Sequence, residues 1–275
     1  MLSKVLILSL ILLGFGFLVA TTRISLRQTV IEKKAPQTGD SVKSVILPPK
    51  LSESLPKIEE VIGGRTEEFG IYVYDFDKND SLKYSEKTTF DAASTVKVLV
   101  AIYAFDQVER GNISKDTKVG NLTLDQHLRL LVNRSDNNSW EILYEQFGLK
   151  NIDQFGRQIG LENTNLIDNT TNAFDLGVIL TKIARGEVLN DENRKELLTL
   201  MQNTETEDRI SPQVPKDFNF YHKTGTFEQD VHDIAIIEGR GKKIVVVILT
   251  KGNTVLDQRN SVIGQIAKVI IENSF

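Results

Sequence analysis

Ser94 and Lys97 stand three residues apart at the start of an apolar run, in the stretch AASTVKVLV of residues 92–100. Residues three apart share one face of a helix, so the serine hydroxyl and the lysine amine can meet. Apolar surroundings lower the pKa of a lysine, because only its charged form loses hydration there, and let it act as a base. The pair predicts a nucleophilic Ser94 with Lys97 as its base. The same spacing occurs at Ser54 and Lys57, and a solvated surface pair is the alternative interpretation.

Two further triplets contain groups that acyl transfer needs. Residues 135–137 read SDN after a helix-like stretch, residues 223–225 read KTG on a strand-like stretch, and each triplet occurs once. Acyl transfer also requires a proton donor for the leaving nitrogen and N–H donors for the developing oxyanion. Ser135 is the candidate for relaying that proton, and Lys223 is the candidate for steering it. The predicted catalytic residues are therefore Ser94, Lys97, Ser135 and Lys223.

The order SxxK, SDN and KTG, with the last triplet on a strand, resembles the signature set of class A β-lactamases and penicillin-binding serine hydrolases. The resemblance continues in RGEVLNDENRKELLTLMQNT, HKTGT and DIAII, which are similar to the later helices and the following strands of that family. It covers essentially residues 51–275. The resemblance implies an α+β fold of the β-lactamase/transpeptidase type. It also implies a serine acyl-enzyme hydrolase that acts on β-lactams or on D-alanyl peptides of the cell wall.

The resemblance further implies how the substrate binds. The backbone N–H groups of Ser94 and Thr226 would form the oxyanion hole. The Thr224 hydroxyl, beside the lysine of the KTG triplet, offers a hydrogen bond to a substrate carboxylate. Asn137 is expected to bond both the lysine of the first motif and a substrate amide. Gly225 is expected to keep the strand bare, so that substrate backbone can lie against it.

Four other polar residues are predicted to have structural roles. Asp136 is expected to hold its loop through backbone N–H groups rather than to act in catalysis. His222 suggests a serine–histidine triad, but no GxSxG elbow accompanies it, and strand alternation points it away from the side of the neighbouring lysine. His127 and His232 lack the spacing of metal ligands. We expect no metal and no cofactor.

The region IGLENTNLIDNTTNAFDLGVIL departs from the family pattern. Its flanks resemble the family, but the loop in which class A enzymes carry a water-activating glutamate is almost entirely missing. Glu162 lies on the flank before the gap and Asp168 is the carboxylate nearest the junction, and neither matches the family position. Without a positioned base, the ester on Ser94 is expected to hydrolyse roughly 10² to 10⁴ times more slowly.

Strand-like segments lie at both ends of the domain, with helix-like segments between them. FGIYVYDFD and SLKYSE predict a hairpin, whereas FNFYHKTGTF, VHDIAIIEG and KKIVVVILTKG predict three later strands. LSESLPKIEEVIGG and VLDQRNSVIGQIAKVIIENSF predict terminal helices, and about residues 94–204 are predicted to be helical. The predicted breaks in that region lie at Gly111, near Asp136, at Gly148 and across residues 163–171. We expect an antiparallel sheet built from both termini, flanked by helices, and an all-helical lobe, with a cleft between them.

Composition excludes several classes of function. The chain has 275 residues, of which 40% are apolar and 25% charged, as in an ordinary globular protein. It contains no cysteine, which excludes disulfides, thiol nucleophiles and metal sites that use cysteine. Residues 51–275 hold 26 basic and 35 acidic residues, a net charge of about -9 that argues against nucleic acid as a partner.

The first 50 residues differ from the rest. Residues 5–20 are apolar except for Ser9, so the segment 1–22 is predicted to be a signal peptide or membrane anchor, with a buried helix as the alternative. Residues 23–50 lack periodicity and are predicted to be a flexible basic tether that can lie along anionic lipids. The positive-inside rule predicts that a basic segment stays in the cytoplasm, so the basic residues after the apolar segment argue against export of the domain. The site chemistry nevertheless favours an extracytoplasmic protein, membrane-anchored or secreted. We also expect a monomer.

Three functions remain open from these residues. The leading hypothesis is a serine hydrolase of β-lactamase type that acylates readily and turns over slowly, as a penicillin-binding D-Ala-D-Ala peptidase would. A glutaminase-type amidase also resembles this fold and uses SxxK, but the apparent anchor and the SDN and KTG triplets disfavour it. A catalytically silent module that senses β-lactams or the cell wall is the third hypothesis.

Overall fold

The computed structural model describes residues 51–275. Three short 3₁₀ segments, Leu51–Ser54, Ala93–Val96 and Ser211–Gln213, accompany the helices and strands. The elements follow in the order α1 (Leu55–Ile62), β1 (Glu68–Asp75), β2 (Asp80–Tyr84), β3 (Phe90–Asp91), α2 (Lys97–Glu109), β4 (Lys118–Val119), β5 (Leu122–Thr123), α3 (Leu124–Asn133), α4 (Asn137–Phe147), α5 (Leu149–Gln158), β6 (Thr170–Thr171), α6 (Ala173–Arg185), α7 (Asp191–Leu200), β7 (Asn219–Phe227), β8 (Asp230–Gly239), β9 (Lys242–Lys251) and α8 (Leu256–Ser274).

The main sheet is antiparallel and is assembled from both ends of the described chain. Its strand order is β2-β1-β9-β8-β7, so the hairpin near residue 70 pairs with the last strand. Strands β8 and β9 are joined by a two-residue turn at Arg240 and Gly241, where φ is +50° and +74°. Positive φ at both central residues gives a turn whose twist matches the right-handed twist of the flanking strands. The predicted fold class and strand positions are confirmed.

Both faces of the sheet are covered, which explains the unbroken apolar run IVVVIL in β9. Alternate side chains of β9 point to opposite faces. Val245, Val247 and Leu249 join a core with the helical lobe and α6. Ile244, Val246 and Ile248 join a second core against α8. The sheet therefore separates the helical lobe from the terminal helices.

Helix α2 lies in the centre of the helical lobe. Its side chains from Lys97 to Ile102 are all buried, and so are Ala104 and Phe105. A helix that is apolar on every side must be surrounded by other elements, and α3, α4, α5 and α7 all contact it. Lys97 is consequently the first residue of a helix whose N-terminal two turns are enclosed by other elements.

The middle of the chain is more divided than predicted. Six helices lie between residues 97 and 200, and the two-stranded hairpin of β4 and β5 fills part of the gap after α2. A further break, absent from the prediction, falls at Gly186, whose φ of +72° ends α6. Asn190 then caps α7 by accepting a hydrogen bond from the Asn193 backbone. This break was missed because the sequence on either side keeps a helical pattern.

The predictions for segments 1–22 and 23–50 lie outside the described residues. Within residues 51–275, no helix is both long enough and apolar enough to cross a membrane.

Candidate active site

Ser94 lies in the 3₁₀ turn that leads into α2, rather than in the α-helix itself. The turn begins at Ala93, whose φ of +47° is unusual for a residue with a side chain. Asp91 holds it there, because the Ala93 backbone N–H donates to Asp91 Oδ1 at 2.8 Å. The Thr95 hydroxyl donates to Ala92 O at 2.6 Å. Ser94 is half-buried, and these hydrogen bonds of the neighbouring residues fix the backbone of its turn.

Gly225 of β7 packs directly against the turn that carries Ser94. A Cβ atom on this glycine would lie 3.1 Å from Ala93 Cβ and 3.2 Å from the Ser94 backbone nitrogen. The sequence predicts a bare strand for the substrate backbone, whereas the structure gives a different reason for glycine. Only a residue without a side chain lets β7 approach the Ser94 turn this closely.

Lys97 is fully buried and directs its amine to the SDN segment. Its Nζ donates to Ser135 O and to Asn137 Oδ1, each at 2.6 Å. Burial lowers the pKa of Lys97 to about 8, although the charge of Asp136 acts in the opposite direction. The Lys97 backbone N–H donates to Ser94 O, so the two residues share one turn. Among the described residues, the Lys97 amine makes no hydrogen bond to the Ser94 hydroxyl.

Ser135 lies between the two lysines. Lys223 Nζ donates to the Ser135 hydroxyl at 2.8 Å, while Lys97 binds its carbonyl. Ser135 has a φ of +57°, a conformation that is strained for serine and persists only where surrounding contacts impose it. Asp136 supplies one such contact, because its side chain caps α4 by accepting from the Ser139 N–H at 2.6 Å. The structure thus gives Asp136 the structural position expected for it.

Lys223 is almost completely buried on β7. Burial and, to a smaller extent, the charge of Lys97 lower the pKa of Lys223 to about 7, against the opposing charge of Asp233. Each ammonium disfavours protonation of the other amine, so the two lysines are expected to carry less than two positive charges between them near neutral pH. A neutral amine is therefore available beside Ser135 without any carboxylate acting as a base.

The remaining predicted substrate-binding residues lie on β7. Thr224 is buried, and its carbonyl accepts a hydrogen bond from Lys223 Nζ at 3.1 Å. Thr226 is exposed at the end of the strand, and its hydroxyl accepts from Arg209 Nη2 at 2.5 Å. The predicted substrate-binding residues Thr224, Gly225 and Thr226 therefore lie on the sheet, whereas the helical lobe supplies Lys97 and Asn137.

Arg209 is a site residue that sequence reasoning missed. Its Nη1 donates to Gly225 O at 2.8 Å, and its Nε donates to Asn260 Oδ1 at 3.0 Å. The side chain is 3% exposed, so a buried cation holds the end of the KTG strand next to the Ser94 turn. The segment TETEDRISP has no periodicity, and nothing in it indicates that its arginine is buried.

His222 faces away from the reacting groups. Its ring bonds Asp233 Oδ1 at 3.0 Å on one side, and Glu207 Oε1 at 3.0 Å and Thr204 Oγ1 at 2.8 Å on the other. Burial alone would lower the pKa of His222, but Asp233 and Glu207 outweigh burial and raise it to about 9. His222 is therefore a charged structural residue that joins β7 to β8 and to the loop after α7.

Replacing Asp233 by asparagine is expected to reduce the free energy of unfolding by about 3 to 5 kcal/mol at pH 7, because it leaves the buried His222 cation with one partner. A group whose folded pKa is raised stabilises the fold fully below its unfolded pKa and loses that effect as the pH rises through the folded value. The difference in the free energy of unfolding between wild type and D233N should therefore become smaller as the pH rises through about 9. Urea denaturation at pH 7 and pH 10 measures both quantities.

Glu207→Gln is the matched control, because Glu207 contacts the same ring but is partly exposed. Its effect on stability should be smaller than that of D233N. An undiminished effect of D233N at pH 10 would contradict the charged state assigned to His222.

The shortened loop contributes no carboxylate to the site. Glu162 and Asp168 are exposed, and neither makes a hydrogen bond or ion pair to Ser94 or Lys97 within residues 51–275. Asn169 instead ties the loop to the nucleophile segment. Its carbonyl accepts from the Ala92 N–H at 2.7 Å, and its amide donates to Asp91 Oδ1 at 2.9 Å. The sequence did not single out this asparagine, and the structure places it in contact with the two residues that directly precede the Ser94 turn.

The arrangement supplies the groups that acyl transfer needs. The contacts described above place the Ser94 backbone, the amines of Lys97 and Lys223 and the Ser135 hydroxyl at the boundary between the sheet and the helical lobe. This is where the sequence predicts a cleft. The backbone nitrogen of Ser94 lies beside Gly225 of β7.

Comparisons with known proteins agree on one family. A model of the beta-lactamase enzyme family matches residues 55–274. A curated beta-lactamase from Bacteroides uniformis is 22% identical over 281 aligned residues, covering 84% of this chain and 94% of that protein. The structure of PBP-A has a TM-score of 0.75 and 23% identity, covering 82% of this chain and 98% of that chain. A mutant of PBP-A, solved as an acyl-enzyme complex with penicillin G, gives the same TM-score of 0.75 and 23% identity.

Proposed function

The chain belongs to the beta-lactamase enzyme family, and on that premise we propose that it opens β-lactam rings by attack of Ser94 and releases the acyl group slowly. The observation that supports this proposal is the series of contacts from Lys97 through Ser135 to Lys223, next to the Ser94 turn. The resemblance to the acyl-enzyme of PBP-A with penicillin G supports a β-lactam as the substrate.

Acylation would proceed through connected proton transfers that carry the Ser94 proton to the leaving nitrogen. Ser94 Oγ bonds to the lactam carbonyl carbon while its proton passes to the neutral amine of Lys97. The carbon–nitrogen bond then breaks, and the leaving nitrogen takes a proton from the Ser135 hydroxyl. The ammonium of Lys97 returns its proton to Ser135, directly or through Lys223, so the proton of Ser94 ends on the lactam nitrogen and both lysines return to their starting protonation states. The Ser94 and Thr226 N–H groups stabilise the oxyanion.

Deacylation is expected to lack a carboxylate base. Hydrolysis of the Ser94 ester needs a group that removes a proton from water, and the carboxylates nearest the shortened loop are exposed and directed elsewhere. The absence of a positioned general base slows such a step by roughly 10² to 10⁴-fold. The acyl-enzyme is therefore expected to accumulate.

A penicillin-binding D-Ala-D-Ala peptidase is the second candidate, favoured by the same exposed carboxylates and by the likeness to PBP-A. In that case β-lactams would be inhibitors, and a cell-wall peptide would be the substrate. A silent sensing module would acylate in the same way without turning over any peptide. All three functions place the domain outside the cytoplasm, where β-lactams and cell-wall peptides occur.

Intact-mass spectrometry tests the proposal. Wild-type protein mixed with penicillin G should gain the mass of one β-lactam, and the adduct should persist for hours after excess drug is removed. Heat-unfolded protein is the control for nonspecific reaction of surface lysines. Rapid return to the unmodified mass would contradict slow release, and no adduct on the folded protein would contradict acylation. Release of D-alanine from a D-Ala-D-Ala peptide would favour the peptidase over the sensing module.

A further inference from the structure

Trp140 lies beside the amine of Lys97. It occupies α4 one turn after Asn137, so the two side chains share a face of that helix. Lys97 Nζ is 5.1 Å from the centre of the indole ring. A cation within about 6 Å of an aromatic face is attracted by the negative potential of that face, and tryptophan gives the strongest effect.

The other neighbours of the Lys97 amine leave this side without a counter-ion. Its hydrogen bonds go to neutral oxygens of Ser135 and Asn137. Of the charged groups that affect it, Asp136 acts at longer range and Lys223 is a cation. Among residues 51–275, no ion pair includes Lys97. The indole ring thus provides an electronegative surface at a position where a carboxylate is lacking.

The indole N–H does not explain why a tryptophan occupies this position. Trp140 Nε1 is buried and has no hydrogen-bond partner among the described residues. A buried donor without a partner costs about 1 to 3 kcal/mol, and phenylalanine would avoid that cost. The ring itself is held by Tyr144, whose centroid lies 6.3 Å away at an interplanar angle of 90°. The large aromatic face is the feature of tryptophan that this site uses.

We propose that Trp140 is a positioning residue that favours the protonated amine of Lys97 and so sets the pH above which Ser94 acylates. This role rests on the proposed function, in which Lys97 takes the proton of Ser94. The ring favours the ammonium, whereas burial and the charge of Lys223 favour the neutral amine. Removing the ring should therefore let Lys97 lose its proton at a lower pH.

The test compares the pH dependence of acylation in wild type, W140F and W140L. The second-order rate constant for acylation by nitrocefin, measured from pH 5.5 to 10, should rise with pH in all three proteins. Its midpoint should move down by roughly one pH unit in W140L and by less in W140F, because phenylalanine has a weaker aromatic face. A purely structural role would lower the rate at every pH and leave the midpoint unchanged.

Tyr103→Leu is the matched control. Tyr103 is a partly buried aromatic residue of the same lobe, and it packs against Phe147 and Phe155 rather than against Lys97. This variant should lose stability without moving the midpoint. If W140L does not fold, the proposal is tested by whether the midpoint of the pH dependence in W140F lies below that of wild type. NMR titration of the Lys97 amine in the protein without substrate provides a readout independent of activity.

The outcomes separate the two proposals. Wild-type protein that does not acylate at any pH contradicts the proposed function. Wild-type protein that acylates with the same midpoint as W140F and W140L overturns the role of Trp140 and leaves the proposed function intact.

Discussion

Replacing Ser94 by alanine is expected to abolish the covalent β-lactam adduct. The turn that carries this serine is fixed by Asp91 and packed against Gly225, so no other hydroxyl can take the same position. Removal of a serine nucleophile typically lowers catalysis by about 10⁶-fold, which is below detection in an intact-mass experiment. Alanine matches the serine backbone, and Ser94 is only half-buried, so the fold should be retained.

Ser54→Ala is a control that this chain supplies. Ser54 and Lys57 repeat the SxxK spacing, but Lys57 is exposed, and the buried Ser54 hydroxyl has no partner among the described residues. The S54A protein should acylate at the wild-type rate. Adduct formation by S94A, together with its loss in S54A, would reverse the assignment of the nucleophile.

Replacing Lys97 by methionine is expected to slow acylation by roughly 10² to 10⁴-fold, the usual contribution of a general base. Methionine has a similar length and no proton to exchange, so it fills the buried volume without acting as a base. The wild-type rate should rise with pH over the range from about 7 to about 8, where the paired lysines lose a proton. K97M should lose most of this rise. Stopped-flow measurement with nitrocefin gives both the rate and its pH dependence.

Lys97→Arg distinguishes a base from a fixed charge. Arginine retains a positive charge and does not lose its proton in proteins, so K97R should acylate as slowly as K97M. Near wild-type rates in K97R would show that charge is what Lys97 contributes, and would contradict its role as the proton acceptor. Circular dichroism melting of both variants verifies that a slow rate does not reflect unfolding.

Much of the fold follows from local patterns in the sequence. Alternation and turn residues are properties of short segments, and they correctly predict β1, β2 and the three strands β7 to β9. The apolar run after Lys97 correctly predicts a helix buried on all sides. The three motifs and their order predict the family, which the family model confirms. The strands and the helix depend on residues close together in the chain, and the motif order is read directly from the chain, so the sequence alone determines these features.

The sequence does not distinguish the two SxxK pairs by spacing. Both pairs stand at the beginning of a helix, and both serines are followed by a lysine three residues later. Lys97 is buried whereas Lys57 is exposed. This difference arises because α2 is enclosed by four other helices, whereas α1 lies on the outer side of the sheet. Burial lowers the pKa of a lysine, so only the enclosed residue can become a base.

The tertiary structure alone decides which residues support the site. Arg209, Asn169 and Trp140 come from loops and a helix far from Ser94 in the chain, and none of them belongs to a motif. Their effects are contacts with Gly225, Asp91 and Lys97, which exist only after the chain has folded. The sequence determines which chemical groups are present and which segments hold them. The proton affinity of each group depends on desolvation and on charges brought near it by folding, and these are decided in three dimensions.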